Sequence, residues 1–501
     1  MLKHLKSLFK DSSLYALGNI SAKVVGFILL PFYVERLTTA EYGMLGTLEA
    51  TVQLLVGLGG LSLYSAFMRW FADKELEGKQ ESVFFTWSCV IVGVAVLINV
   101  VGFFLAEQLS VLLFDSDKYV RLIRLMLCSA GIELIGTLPS TLARMKSESI
   151  RFTASMLVRL CFVLGLSILF VVGLDRKVEG IYEAIIIGGI AYLAVFLSFM
   201  LKNMKFHFET VILKKMFRFS FPLLLSSLFG ISMSIADRYS LNFISGLASV
   251  GVYSLGTKLA NTLKMFIVQP VAMAVLPLML GMIGKPECKR FYAKIMTYLT
   301  FILMFFVLGV CLFAQETVKI LSANTPEYWN AYTLVPLIAF SIVFYMLMGQ
   351  ANVGLYAVNK TKTMSLIIII VSVFNLLLNI VLISCFDAIG AALSTLISQI
   401  IYFLLTLFFA HRYYPVRYEY AKIFLAIGIG VIFSLIACLI SDWNLSMRLS
   451  IKTVLLFSYP VLLYLFRFYD KVELQALRGF WRKWKNPEKW KKNFSQRKPR
   501  N

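Results

Sequence analysis

The chain has 501 residues, 59% of them hydrophobic and 15% charged, with a formal net charge of +22 and a mean hydropathy of +0.79. So much apolar surface with so few charges excludes a soluble globular domain. The apolar runs are continuous and do not alternate, which excludes a transmembrane β-barrel as well.

What remains is an all-α integral membrane protein. In chain order the runs predict about 14 transmembrane helices: 12–34, 43–67, 83–106, 122–145, 153–173, 181–201, 219–243, 252–281, 291–314, 333–358, 364–384, 389–410, 421–440 and 450–468. Each is close to the ~20 apolar residues that a bilayer core requires. The first run follows "MLKHLKSLFKD" with no small-residue cleavage site behind it, so it reads as a retained span rather than a signal peptide. With the N-terminus inside, the inner connections hold 34 of the 49 lysines and arginines. That is the positive-inside pattern, and it places both termini in the cytoplasm. The net charge is thus a topology signal and gives no reason to expect nucleic-acid binding. The seven cysteines are scattered, and neither a metal-ligand spacing nor a phosphate-binding loop is present. No cofactor is expected beyond possible H⁺ or Na⁺ coupling.

The segment "KNMKFHFETVILKKMFRFS" separates the first six spans from the next six. The expected organisation is a lobe over 1–201, a cytoplasmic linker over 202–218, a second lobe over 219–410, two further spans over 411–468 and a tail over 469–501. "MLGTLEA" at 44–50 opens the second span, and "SLGTKLA" at 254–260 opens the eighth. The two motifs match at Leu45/Leu255, Gly46/Gly256, Thr47/Thr257 and Ala50/Ala260, at equivalent places in each half. An even number of spans per half gives the two halves parallel topology about an axis along the membrane normal. The tail interleaves Trp481, Trp484 and Trp490 with many cations. It suits either an anionic lipid surface or a solvated end that helps to fix topology.

An ionisable side chain in mid-span costs at least ~2.5–3.5 kcal/mol on insertion scales, so it faces a cavity or a partner. Asn19 and Lys23 share a face of the first span with Tyr15, and Glu49 shares one of the second with Gln53. Ser227, Gly230, Ser234 and Asp237 line one face of the seventh span, beside Arg238. Thr257, Asn261 and Lys264 line one of the eighth, with Lys258 nearby. Arg159 lies six residues into the fifth. Asn375 and Asn379 read as packing or secondary lining. Lys23, Arg159, Arg238, Lys258 and Lys264 outnumber Glu49 and Asp237, so the expected cavity is cationic and suits an anionic headgroup. The acidic pair and Arg238 are the candidates for ion coupling or gating. Prolines within spans or at their ends, including Pro270 and Pro277 in "QPVAMAVLP", predict interrupted helices.

The opening "DSSLYALGNISAKVVGFILLPFYVERLTTAEYGMLGTLEA", with Glu41-Tyr42-Gly43 after a Leu-Pro segment, resembles the Wzx-type polysaccharide flippases. So does "ADRYSLNFISGLASVGVYSLGTKLA" in the seventh and eighth spans. The resemblance implies a MATE-like fold: a pair of six-helix lobes plus two C-terminal helices, with a cavity lined by the first, second, seventh and eighth spans. It implies an undecaprenyl-diphosphate-linked glycan as substrate, carried from the inner to the outer leaflet of the bacterial cytoplasmic membrane. Lys23, Lys258 and Lys264 would meet the diphosphate, with Arg159, Asn19 and Asn261 as further lining. The implied partners are membrane lipids and the polymerase and export proteins of the same pathway. Neighbouring possibilities are a lipid II flippase and a MATE-type cation or drug antiporter; an acidic cavity and twelve spans would favour the latter. An embedded glycosyltransferase would require a large outer loop, which the chain lacks.

Overall fold

The computed structural model describes residues 25–73, 78–322, 325–470 and 475, and the regular structure among them is helical. The described residues form two compact units. One lies within Met1–Tyr292 and Phe313–Arg417, the other within Ala293–Leu312 and Tyr418–Asn501.

In the larger unit α1 (Leu30–Arg36) leads to α2 (Thr39–Gly59) and α3 (Leu63–Phe71). Thr38 caps α2 through a reciprocal pair with Glu41, in which each side chain bonds the other's backbone N–H. Gly59 and Gly60 end α2, and α3 leaves at 45° after Leu61 and Ser62 take up left-handed φ. Then follow α4 (Gln80–Phe104), α5 (Ala106–Phe114), α6 (Val120–Met145), α7 (Ser149–Ser167) and α8 (Lys177–Lys202). Phe67 stacks on Trp87 at 4.5 Å between ring centroids, in a core shared by α3, α4, α6 and α8. The connection over 107–121 is therefore mostly helix and not an open loop.

The second half of this unit holds α9 (Thr210–Ile244), α10 (Leu247–Leu263) and α11 (Gln269–Leu280). A π-helical turn, Lys264–Val268, joins α10 to α11. Pro270 lacks the N–H that would continue the ladder, which explains the wide turn just before it. After α12 (Cys288–Leu312) come α13 (Ala314–Leu321), α14 (Ala331–Ala357) and the long run α15 (Thr361–Tyr413). Asp387 interrupts α15 at φ 50°, ψ −131°, and the run folds back there, since Asn375 bonds both Ser394 and Ser398. Gly390 allows the tight reversal, because a Cβ there would strike the Leu382 carbonyl.

The smaller unit gathers α12 from Ala293 onward, α16 (Tyr420–Leu439) and α17 (Leu445–Leu465). Phe301 stacks on Tyr459 at 6.1 Å and meets Phe468 at 5.8 Å. The sequence reading counts α12 in the second lobe.

Among the described residues eleven helices are long and apolar enough to cross a bilayer, or twelve if α2 and α3 form one bent span. The folded-back α15 enters that number once. The first expected span, 12–34, lies mainly outside the described residues. Only 28% of the most apolar window of α4 is buried. A helix so apolar and so exposed needs lipid as its solvent.

Candidate substrate and coupling site

The site lies where α2 of the first half meets α9 and α10 of the second. Gly43 and Gly251 let the backbones touch. A Cβ on Gly43 would collide with the Leu247 carbonyl, and one on Gly251 with that of Thr39. One turn further along, Gly46 packs on the Ser254 hydroxyl, which brings the two matching sequence motifs face to face. The same end of the helices, here the Thr38 end, is fastened by Tyr328. Its hydroxyl donates to the carbonyls of Leu37 and Thr38 at 3.1 and 2.9 Å. Thr39 bonds Glu327 at 3.4 Å, and Lys177 pairs with Glu41 at 2.6 Å.

Directly below, Lys258 Nζ reaches Glu49 Oε1 at 3.0 Å, across the seam between the halves. The ammonium also stands 5.1 Å from the Tyr42 ring centroid. Both charged side chains keep some access to solvent, 23% for Lys258 and 36% for Glu49. Arg238 is close enough for Glu49 to feel its charge. Lys264 follows in the π-turn, 5.1 Å from the Tyr345 ring, and Asn261 lies on α10 between the two lysines. Beside the seam Thr51 bonds Tyr239 at 2.8 Å, and Gln53 donates to Ser234 at 2.9 Å.

Asp237 turns the other way, into the second half. Its carboxylate is buried and accepts from Tyr253 at 2.5 Å, Thr395 at 2.6 Å and Asn379 at 2.8 Å. Asn379 in turn bonds Asn375 at 3.4 Å. Its hydrogen-bond donors among the described residues are neutral, and a buried carboxylate so held is costly unless protonated or met by a positive charge, which Arg238 supplies in part. Tyr253, Thr395 and the two asparagines are the residues that sequence reasoning missed or read as packing. The signal within reach was the i, i+4 spacing of Asn375 and Asn379.

The expected residues therefore divide. Glu49, Arg238, Lys258, Asn261 and Lys264 fall along one seam, with Asp237 behind it. Arg159 lies on α7, whose neighbours are α8 and α6 rather than α9 or α10. Lys23 and Asn19 lie outside the described residues. Among the described residues no group of three or more histidine, cysteine or acidic side chains is placed to hold a metal.

Two helical halves meeting over a charged seam make up a MATE-like membrane fold, and solved structures share it. A lipid II flippase, MurJ, in an inward closed conformation matches 90% of this chain and 98% of its own, with a TM-score of 0.70 at 13% identity. An inward-facing multidrug resistance MATE family transporter of the MOP superfamily matches 79% and 94%, with a TM-score of 0.65 at 14% identity. An uncharacterized membrane protein of Methanocaldococcus jannaschii is 24% identical over 429 residues, which is 80% of this chain and 97% of that protein. The family model described as polysaccharide biosynthesis protein matches residues 8–282, more than half of the chain. The chain belongs to that family, and its fold is that of the multi-pass MATE-like membrane proteins.

Proposed function

We propose that the protein carries undecaprenyl-diphosphate-linked oligosaccharide from the inner to the outer leaflet of the bacterial cytoplasmic membrane, with both termini cytoplasmic. The observation that carries this reading is the ion pair between Glu49 and Lys258 across the seam of a polysaccharide biosynthesis family transporter. A diphosphate arriving at the seam is a stronger partner for an ammonium than one carboxylate is. It takes Lys258, with Lys264 further along the same stretch of chain; Lys23, expected from the sequence to join them, lies outside the described residues. Glu49 is released, and the seam loses the ion pair that ties α2 to α10 below the Thr38 end. The pathway's polymerase and export proteins then receive the glycan outside.

Asp237 supplies the coupling. A proton or Na⁺ entering its cage neutralises the buried carboxylate and stiffens the second half. Asp237→Asn should abolish dependence of transport on the ion gradient while leaving the amount of protein in the membrane unchanged. Normal gradient dependence in that variant would reduce the cage to packing.

The decisive experiment depletes the protein and probes intact cells and inverted vesicles with a membrane-impermeant sugar-binding reagent. The expected result is lipid-linked glycan trapped on the cytoplasmic leaflet and loss of surface polymer. Trapped lipid II would move the assignment to peptidoglycan precursors. Unchanged sidedness of both would leave a MATE-type antiporter, testable by drug efflux.

A further inference from the structure

A second site, apart from the seam, lies between α4 and α6 at the Thr38 end of the first half. It is a groove of about 510 Å³ lined by Asn99, Val100, Phe103, Phe104, Arg124 and Cys128. That volume is within the range of small-molecule sites, roughly 300–1,000 Å³. Its walls are apolar and face outward: Phe104 is 75% exposed and Phe103 51%. Arg124 stands at its edge, with the guanidinium carbon 4.0 Å from the Phe103 ring centroid. Asn99 spends its amide on the Ala95 carbonyl at 2.9 Å.

The two arginines at the start of α6 are treated differently. Arg121 is met by Glu183 at 3.1 Å and Glu179 at 3.4 Å. Arg124, one turn deeper, has no carboxylate among the described residues; it has a phenylalanine face behind it and the groove in front. Its Cα sits about 6 Å inside the helix end at 1.5 Å per residue, which is the depth of the boundary between acyl chains and headgroups. A guanidinium held flat on a ring keeps its N–H fork free, and that fork fits phosphate oxygens in two parallel bonds.

We propose that this groove binds one anionic phospholipid of the leaflet at the Thr38 end, its phosphate on Arg124 and an acyl chain along Val100, Phe103 and Phe104. Charge complementarity selects this occupant: an apolar partner helix would leave the cation buried without a counter-charge, whereas a phosphodiester supplies one.

The test uses the full-length protein in nanodiscs, with Phe104→Trp as a reporter and the parent protein's emission subtracted. Brominated phosphatidylglycerol and brominated phosphatidylcholine are compared as quenchers. Phosphatidylglycerol should quench with about fivefold higher relative affinity, the preference that one basic residue near the surface confers. Arg124→Gln should abolish the preference, and Arg124→Lys should keep part of it. Equal quenching by the two lipids would overturn the proposal, as would a preference that survives Arg124→Gln. Should the tryptophan reporter disturb folding, native mass spectrometry of lipid adducts on the wild type and Arg124→Gln reads the same preference.

Discussion

Glu49 and Lys258 are 209 positions apart, and each is costly alone in an apolar helix. Their pairing across the seam makes a sharp expectation. Glu49→Gln or Lys258→Met should each stop transport while the protein still reaches the membrane, because both side chains keep access to solvent and water can take the place of the lost partner. The exchanged double variant, Glu49→Lys with Lys258→Glu, should recover part of the activity in a surface-polymer assay. Full activity in either single variant would remove the pair from the mechanism. Both residues were legible in the sequence, because a charge in mid-span stands out whatever it contacts. The partners of Asp237 were not. Thr395 and Asn379 are 158 and 142 positions away and are ordinary residues in apolar helices. Nothing local marks a threonine as a carboxylate's donor until α15 folds back and presents it.

At the scale of elements, the contact of α2 with α10 depends on two glycines. An added methyl at position 43 has carbonyl oxygen in its way, which cannot yield as a flexible side chain would. Gly43→Ala should cost ~1–3 kcal/mol in overpacking if the seam stays shut. The strain is relieved by parting the halves, so a cysteine at position 39 should label faster from outside in that background. The hydroxyls of Thr47, Ser254 and Thr257 are buried without partners among the described residues, which fits a seam that opens and rehydrates. The smaller unit has its own fastening. Asp470 accepts from Lys294 at 2.5 Å and from Lys422 at 2.7 Å, and Lys294 also bonds Glu419 at 2.8 Å. The two lysines hold Asp470 well below the usual range, at about 2. Burial pushes Glu419 up, yet bonds from Lys294 and Thr297 bring it below its ordinary value. A depressed carboxylate stabilises the folded state above its unfolded pKa, near 4, and loses that contribution as pH falls toward the folded value. The stability of the smaller unit should therefore decline from about pH 4 toward pH 2. Asp470→Asn should flatten that decline in thermal melts, with a small effect at neutral pH because the side chain is 43% exposed.

For the whole molecule, composition and the continuity of the apolar runs were enough to read an all-helical membrane protein, and the repeated motif supported its division into two halves, whose copies of that motif the structure brings face to face. Fold-back points such as Asp387 read as short gaps between spans, and the non-helical backbone at Asp387 falls inside the gap expected between 364–384 and 389–410. Alternating exposure of the seam requires the Thr38 end to part. Cysteines at Thr39 and Glu327, in a background without the seven native ones, should form a cross-link that stops transport, with recovery on reduction. Transport through the cross-linked protein would rule that motion out. The hairpin at Asp387 links the Asp237 cage to the seam. Both arms grip Asp237, through Asn379 and Thr395, and the tip accepts a bond from Ser249 at 2.8 Å. Ser249 is two residues from Gly251, where the seam closes. On the proposed coupling, occupancy of the carboxylate cage and closure of the seam would be opposite ends of one lever, with Asp387 as its fulcrum. Cutting the tip contact with Asp387→Ala should leave ion binding intact and disconnect it from transport, as a clutch disconnects an engine from its wheels.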